Sequence, residues 1–359
     1  MAVIIVVGGQ YGSEGKGKVC AYLAETRRAR IMVRCGGPNS GHTVMVNDQP
    51  IVLRQLPAGA LTTNCRLLIP SGGCVLPSLL FQEIRENNID ASRVGVDPNT
   101  VVMDDLHMIT EKESDLAKRI GSTLSGTGAA VAARVNRSAN VKLAKDCSEL
   151  ADFIVNVAEE VDKARSIDET VIIEGTQGFG LSVYHSPFYP FATSRDTTAS
   201  GFASEVGISP LHIDEVVMVI RAFPIRVSGN SGPLANETTW GAVTQGAGAP
   251  VDIEEYTSVT KRLRRVGGFD AEIVRRALLA NAPTAIVMNH LDYVDRTLCG
   301  KGDHDAITDR IHAFVARAEE DIGHTIDYLG TGQRTFDLVR ISCRAGARQD
   351  LCQCQELDF

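Results

Sequence analysis

No apolar run in this chain is long enough to cross a bilayer. The run near its start, Ala2–Val7, is short and has no basic leader, so it reads as a first strand rather than a signal peptide. Positive charge is also scarce. A formal net charge of −8 argues against broad binding to nucleic acid or to an anionic membrane. Any phosphate must therefore be held by local cations. The cysteines number nine, an odd and scattered set, and without a secretory signal they read as reduced thiols of a cytoplasmic protein. Cys352 and Cys354 lack the second pair or the histidines that a zinc site needs. Internal repeats and low-complexity linkers are absent as well.

What is present is the composition of a globular protein, 44% apolar and 22% charged over 359 residues. Short β-branched runs recur at Val3–Val7, Ile31–Val33, Leu67–Ile69, Val171–Ile173, Val216–Ile220 and Ala285–Met288. Apolar without alternation, they suit strands buried on both faces, hence a parallel sheet. Helical spacing lies between them. Leu150, Ile154, Val157 and Val161 share one face behind a capping box of Asp146 and Glu149. Ile311, Val315, Ala318 and Ile322 share another face, stopped by Gly323. The expected fold is α/β, a large, central, mostly parallel sheet flanked by helices in a single domain over residues 1–341. Residues 342–359 read as a loose tail, and the pieces Gly121–Ala133 and Ser228–Pro250 as functional loops.

The most informative stretch is Gly8-Gly9-Gln10-Tyr11-Gly12-Ser13-Glu14-Gly15-Lys16-Gly17-Lys18. A strand, a glycine-rich turn and a helix start are what an anion site requires: crowded backbone N–H groups, a helix N-terminus and a lysine. The common rule G-x-x-x-x-G-K-[ST] fails twice, at Gln10 and at Gly17. This is a phosphate loop of a different lineage.

Several separated segments together resemble the adenylosuccinate synthetase family. They are the loop above, Gly36-Gly37-Pro38-Asn39-Ser40-Gly41-His42-Thr43, Glu174-Gly175-Thr176-Gln177-Gly178, Tyr189 to Ser194, and Thr260 to Arg265. Agreement in order runs from about residue 3 to residue 335, closest to the compact archaeal forms. The resemblance implies a ligase that phosphorylates the 6-oxygen of a purine nucleotide and then joins aspartate there, with Mg²⁺ as cofactor. It implies that Gly12, Ser13, Glu14, Gly15, Lys16 and Gly17 wrap the triphosphate, with Gly41, His42 and Thr43 beside it. Gly41 and Ser13 would attend the metal, and Ser13, Lys16 and His42 the chemistry. Asn39, Ser122, Thr123, Gln177, Thr193 and Arg262 would hold the monophosphate, joined by Arg137 lent by the partner subunit of a homodimer. Ser258, Val259, Thr260 and Arg262 would take aspartate, the guanidinium fork pairing a carboxylate. Arg264, Asn289, His290, Asp292, Gly330, Thr331 and Gly332 would surround the donor nucleotide. No nucleic-acid or membrane partner is implied.

The chain departs from that pattern at Ser13, where the family carries the aspartate that removes the purine N1 proton. One reading is an impaired relative that only binds nucleotides, a switch of the GTPase kind. Another is a changed purine: the shorter side chain opens room beside C2, where guanine bears an amino group and hypoxanthine only hydrogen. A phage-encoded branch of the family, the 2-aminoadenylosuccinate synthetases, carries Ser at this position and uses dGMP, and the chain resembles it. Synthesis from IMP with GTP stays open as the alternative. His290 stands where many relatives have lysine, which opens the donor to ATP or dATP. Lys261-Arg262-Leu263 replaces Gly-Arg-Arg, and Leu124-Ser125 replaces Gly-Arg. Arg27, Arg28 and Arg30 have no such context and read as a solvated run.

Overall fold

The computed structural model describes residues 2–257 and 261–341. A nine-stranded sheet runs through its middle. Across the sheet the strands are Leu338–Arg340, Tyr328–Gly330, Ala285–Asn289, Glu215–Arg221, Val3–Gly8, Val171–Glu174, Ile31–Arg34, Arg66–Ile69 and Val94–Val96. All neighbours pair in parallel except Tyr328–Gly330 with Leu338–Arg340. All six strands expected from the sequence are there. The fold class expected from them is the one observed.

The period-two alternation of strands divides their side chains between two cores. Val3, Ile5 and Val7 pack on one face with Ile31, Ile173, Met218 and Ile220, and Ile4 and Val6 pack on the other with Met32, Ile172 and Val219. A sheet covered on both sides needs apolar residues at every position, which is why these strands read as unbroken runs. The three strands not foreseen are only three residues long and include Gly95, Tyr328 or Arg340. A two-stranded hairpin, His42–Val46 with Gln49–Leu53, also went unseen.

The helix expected through Leu150–Val161 is a correction. Ser148–Phe153 forms 3₁₀ turns, the chain extends at Ile154, and the α-helix begins only at Val157. Ile154 bridges to Val96 and the Val155 N–H donates to the Val96 carbonyl, so the backbone there extends the sheet edge. The cap is Asn156, which accepts the Glu159 N–H at 3.2 Å. Two expected loops also hold helices, Thr127–Val135 and Trp240–Ala247. The other helical expectation stands: Asp309–Ile322 buries Ile311, Val315, Ala318 and Ile322 and ends at left-handed Gly323. The expected tail, residues 342–359, lies outside the described residues.

Thr308 caps that last helix through the Ile311 N–H. Thr308→Ala is expected to lower the unfolding free energy by about 1 kcal/mol, read as a lower denaturant midpoint at unchanged slope.

Candidate active site

Four parallel strands end in a polar residue at the same sheet edge: Arg34, Glu174, Arg221 and Asn289. The register sets Arg34 directly beside Glu174, and Arg221 beside Asn289. The carboxyl edge of such a sheet is where ligands bind.

Glu174 organises one half of the site. One carboxylate oxygen meets both Arg34 Nη1 and His42 Nδ1, while the other accepts the Ala58 N–H at 2.7 Å. Arg34 Nη2 reaches on to the Ser40 carbonyl at 3.0 Å, tying the loop before His42 to the sheet. Burial alone would raise the Glu174 carboxyl, but Arg34 and His42 bring it below its ordinary value. For His42, burial and then the adjacent guanidinium lower the imidazole from 6.5 to about 4. The neutral ring therefore gives its Nδ1–H to Glu174, a tautomer inferred from that partner.

The phosphate loop forms the other half. The chain turns left-handed at Gly12, Ser13 and Gly15 (φ 88°, 57° and 89°), the kind of winding that turns backbone N–H groups towards an anion. At Gly15 a Cβ would also sit 2.7 Å from Asn289 Nδ2, so only glycine fits. Glu14 points inward, accepting from the N–H groups of Gln10 and Gly12 and pairing with Lys16 at 2.6 Å. Lys16 Nζ also donates to the Gln177 carbonyl. The Gln10 amide clasps the backbone of Arg221 in both directions, at 2.9 and 3.1 Å. Arg221 in turn donates to the Ser13 carbonyl at 2.8 Å and pairs with Glu255. Ser13, Gln177 and His290 are non-glycine residues held at φ near 60°, and strain of that kind gathers at functional sites.

These elements enclose a cavity of about 670 Å³, a size typical of small-molecule sites. Gly12, Ser13, Gly15, Lys16 and Gly17 line one wall. Asn39, Gly41, His42 and Thr43 line another, facing Ser122, Thr123, Gln177 and Thr193. Arg264 and His290 also line it, as do Tyr11 and Arg226, whose guanidinium stacks on the Tyr11 ring at 4.1 Å. The indole of Trp240 donates to the Arg264 carbonyl at 2.7 Å. Burial and the Arg221 guanidinium lower His290 to about 3 against the opposing pull of Glu255, leaving the ring neutral, and its buried Nδ1 has no hydrogen-bond partner among the described residues.

Other expected site residues do not line this cavity. Glu14 is the inward lock just described. Asn289 lies beneath the loop, donating to the Glu14 carbonyl at 2.8 Å. Asp292 is buried against Arg296, and burial raises its carboxyl to about 6. Gly330, Thr331 and Gly332 stand at a neighbouring strand end, where Lys18 donates to the Gly332 and Asp337 carbonyls. Arg137 and Arg262 are exposed and do not line the cavity, although the Arg262 backbone is bonded to Thr257 on its wall, its N–H donating to Thr257 Oγ1 at 3.0 Å and its carbonyl accepting the Thr257 N–H at 2.9 Å. Ser258, Val259 and Thr260 lie outside the described residues.

Sequence reasoning passed over Arg34, Arg221 and Glu255, and quoted Glu174 only as part of a motif. A signal existed: Ile31–Arg34, Val171–Glu174 and Glu215–Arg221 are apolar runs that end on a charge. Glu111 and Arg226 gave none.

A family model described as adenylosuccinate synthetase matches residues 5–145 and 139–299. An adenylosuccinate synthetase of Thermococcus onnurineus is 40% identical over 337 residues, covering 92% of this chain and 96% of that one. One of Methanocaldococcus jannaschii is 39% identical over 342 residues, covering 93% and 96%. Among solved structures, a fully ligated adenylosuccinate synthetase of Plasmodium falciparum superposes with a TM-score of 0.83 at 20% identity, over 95% of this chain and 100% of that one. At that identity it speaks for the fold alone. The succinoaminodeoxyadenylate synthetase of cyanophage S-2L, bound to dGMP and to dATP as an energy donor, gives 0.79 at 26% identity, over 96% of each chain.

A histidine held neutral by burial makes the unfolded chain the better proton acceptor. The stability it contributes is complete above about pH 6.5 and declines as pH falls towards 4. His42→Gln is expected to make the loss of unfolding free energy across that window shallower, by up to about 1.4 kcal/mol per pH unit, as read by denaturant titration at stepped pH.

Proposed function

The chain belongs to the adenylosuccinate synthetase family and is a carbon–nitrogen ligase, and from that premise we propose that it joins L-aspartate to C6 of dGMP. The product would be 2-amino-2′-deoxyadenylosuccinate, a precursor for 2-aminoadenine DNA, made in the cytoplasm of a phage-infected host. The observation that carries the reading is Ser13. It stands on the cavity wall where the family has an aspartate, and a hydroxymethyl group leaves space beside the purine N1 and C2 for guanine's amine. Among the described residues two carboxylates reach the wall, and both are engaged: Glu111 by backbone N–H groups and Glu255 by Arg221. Despite burial, the Arg221 guanidinium holds Glu255 down at about 2, so it is a poor base near neutral pH. In this reading the γ-phosphate or an ordered water takes the N1 proton.

The remaining roles follow from the family pattern. The loop N–H groups and Lys16 hold the triphosphate, and an approaching polyanion would draw a proton onto His42, which then stabilises charge on the bridging oxygen. Asn39, Ser122, Thr123, Gln177 and Thr193 hold the monophosphate, and Ser258, Val259, Thr260 and Arg262 the aspartate. Arg137 would come from the partner in a homodimer. The Gly41 carbonyl and Ser13 hydroxyl are oxygen donors on the wall, the type a hard cation takes, so the residues fit Mg²⁺. Bound there, the ion would supply neutralising charge to the phosphates.

For the donor we infer ATP or dATP. His290 presents a neutral ring to the cavity, where a lysine would present a charge. The names of the archaeal relatives favour a second reading, adenylosuccinate synthesis from IMP with GTP. Incubation with aspartate and each pairing of dGMP, GMP or IMP with ATP, dATP or GTP, followed by mass spectrometry, separates the two.

Ser13→Asp is expected to shift the ratio of kcat/KM for dGMP over IMP by about tenfold or more towards IMP; an unchanged ratio refutes the steric argument. His290→Lys is expected to lower kcat/KM for ATP by about tenfold and to raise use of GTP, checked by phosphate release at fixed dGMP and aspartate.

A further inference from the structure

The loop bearing Ser122 and Thr123 joins two helices, and its own bonds are weak. Thr123 Oγ1 donates to Ser125 Oγ at 3.3 Å, Ser125 and Thr127 hydroxyls lie 3.4 Å apart, and the Leu124 N–H reaches Ser122 Oγ at 3.2 Å. The chain turns left-handed three times there, at Gly121, Leu124 and Gly126. A stronger anchor comes from outside the loop. Glu111, near the end of the helix Asp105–Glu113, is 5% exposed. Its carboxylate accepts the N–H groups of Gly126 at 2.8 Å, Gly128 at 2.7 Å and Ala129 at 3.2 Å.

Those donors open the helix Thr127–Val135 and would otherwise lack intrahelical partners. A carboxylate there gains from the helix dipole and from charge-assisted bonds. At the end of its own helix the Glu111 backbone carbonyl accepts the Ser114 hydroxyl at 2.6 Å, which closes the last turn. The helix Asp105–Glu113 is thus stapled to the start of the helix Thr127–Val135, across the short helix Leu116–Ile120 and the loop that follows it.

We propose that Glu111 is a positioning residue for the monophosphate subsite, closing on the three N–H groups so that the Ser122 and Thr123 hydroxyls face the cavity. The proposal rests on reading Ser122 and Thr123 as monophosphate-binding, and not on which purine is used. It has a corollary. The N-terminus of this helix is already filled by a carboxylate, so the incoming phosphate is read by hydroxyl groups rather than by helix N–H groups.

The test compares Glu111→Gln, Glu111→Asp and Ser122→Ala in steady-state kinetics, with whichever purine monophosphate the unmodified enzyme turns over fastest. Amide exchange at Gly126, Gly128 and Ala129 is followed in parallel. Glu111→Gln is expected to raise KM for the monophosphate about tenfold, to leave KM for the triphosphate and aspartate within about twofold, and to speed exchange at the three amides. Glu111→Asp, with the charge on a shorter stem, falls between. The proposal is overturned if Ser122→Ala raises that KM while Glu111→Gln does not, or if all three KM values rise together, which marks general damage. A fall in KM also overturns it, since the carboxylate would then be competing with phosphate. If neither variant moves the KM, the loop does not bind the monophosphate, and the proposal falls with the reading beneath it.

Discussion

The contact between Arg34 and Glu174 is the constraint on which the cavity depends. It exists because two neighbouring parallel strands end in register, one on a cation and one on an anion, both cut off from water. A buried charge without its partner costs several kcal/mol, so neither can be lost alone. From this pair the order spreads outward: His42 is oriented by the carboxylate, the Ser40 backbone by the guanidinium, and Ala58 by the remaining oxygen. A flexible glycine-rich segment thereby becomes a fixed wall. On the far side of the first strand, Gln10, Arg221 and Glu255 do the same for the phosphate loop.

The central strands were legible because burial on both faces demands apolar residues at every position, a pattern few other structures produce. Tyr328–Gly330 and Leu338–Arg340 escaped because three residues are too few to show a period. The misplaced helix start had a different cause. Leu150 and Ile154 have helical spacing, but pairing of Ile154 with Val96 competes for the same backbone, and spacing alone cannot reveal a partner more than fifty residues away. In the site, Ser13, Lys16, Asn39, His42, Gln177 and Thr193 were found because they sit in motifs and do line the cavity. Glu14 was placed with them by adjacency, yet its carboxylate faces the protein. Only coordinates could tell those two kinds of loop residue apart.

Ser13 differs from its neighbours in what it leaves undone. The wall around it is stitched by bonds of its own backbone, the carbonyl to Arg221 and the left-handed turn to the glycines beside it, so the side chain is not needed for the loop's shape. In the reading proposed for Ser13, fold and selectivity are therefore separate. The position can exchange a carboxylate for an alcohol with little mechanical consequence, while the electrostatics of the cavity wall change by a full charge.

The lone tryptophan of the chain has a use beyond packing. Trp240 is hydrogen-bonded through its indole to the backbone of Arg264, a residue of the cavity wall. A ligand that engages the Arg264 guanidinium would alter the indole's surroundings and hence its emission. The protein carries its own optical reporter, and occupation of the cavity can be timed by stopped-flow fluorescence without attaching a label.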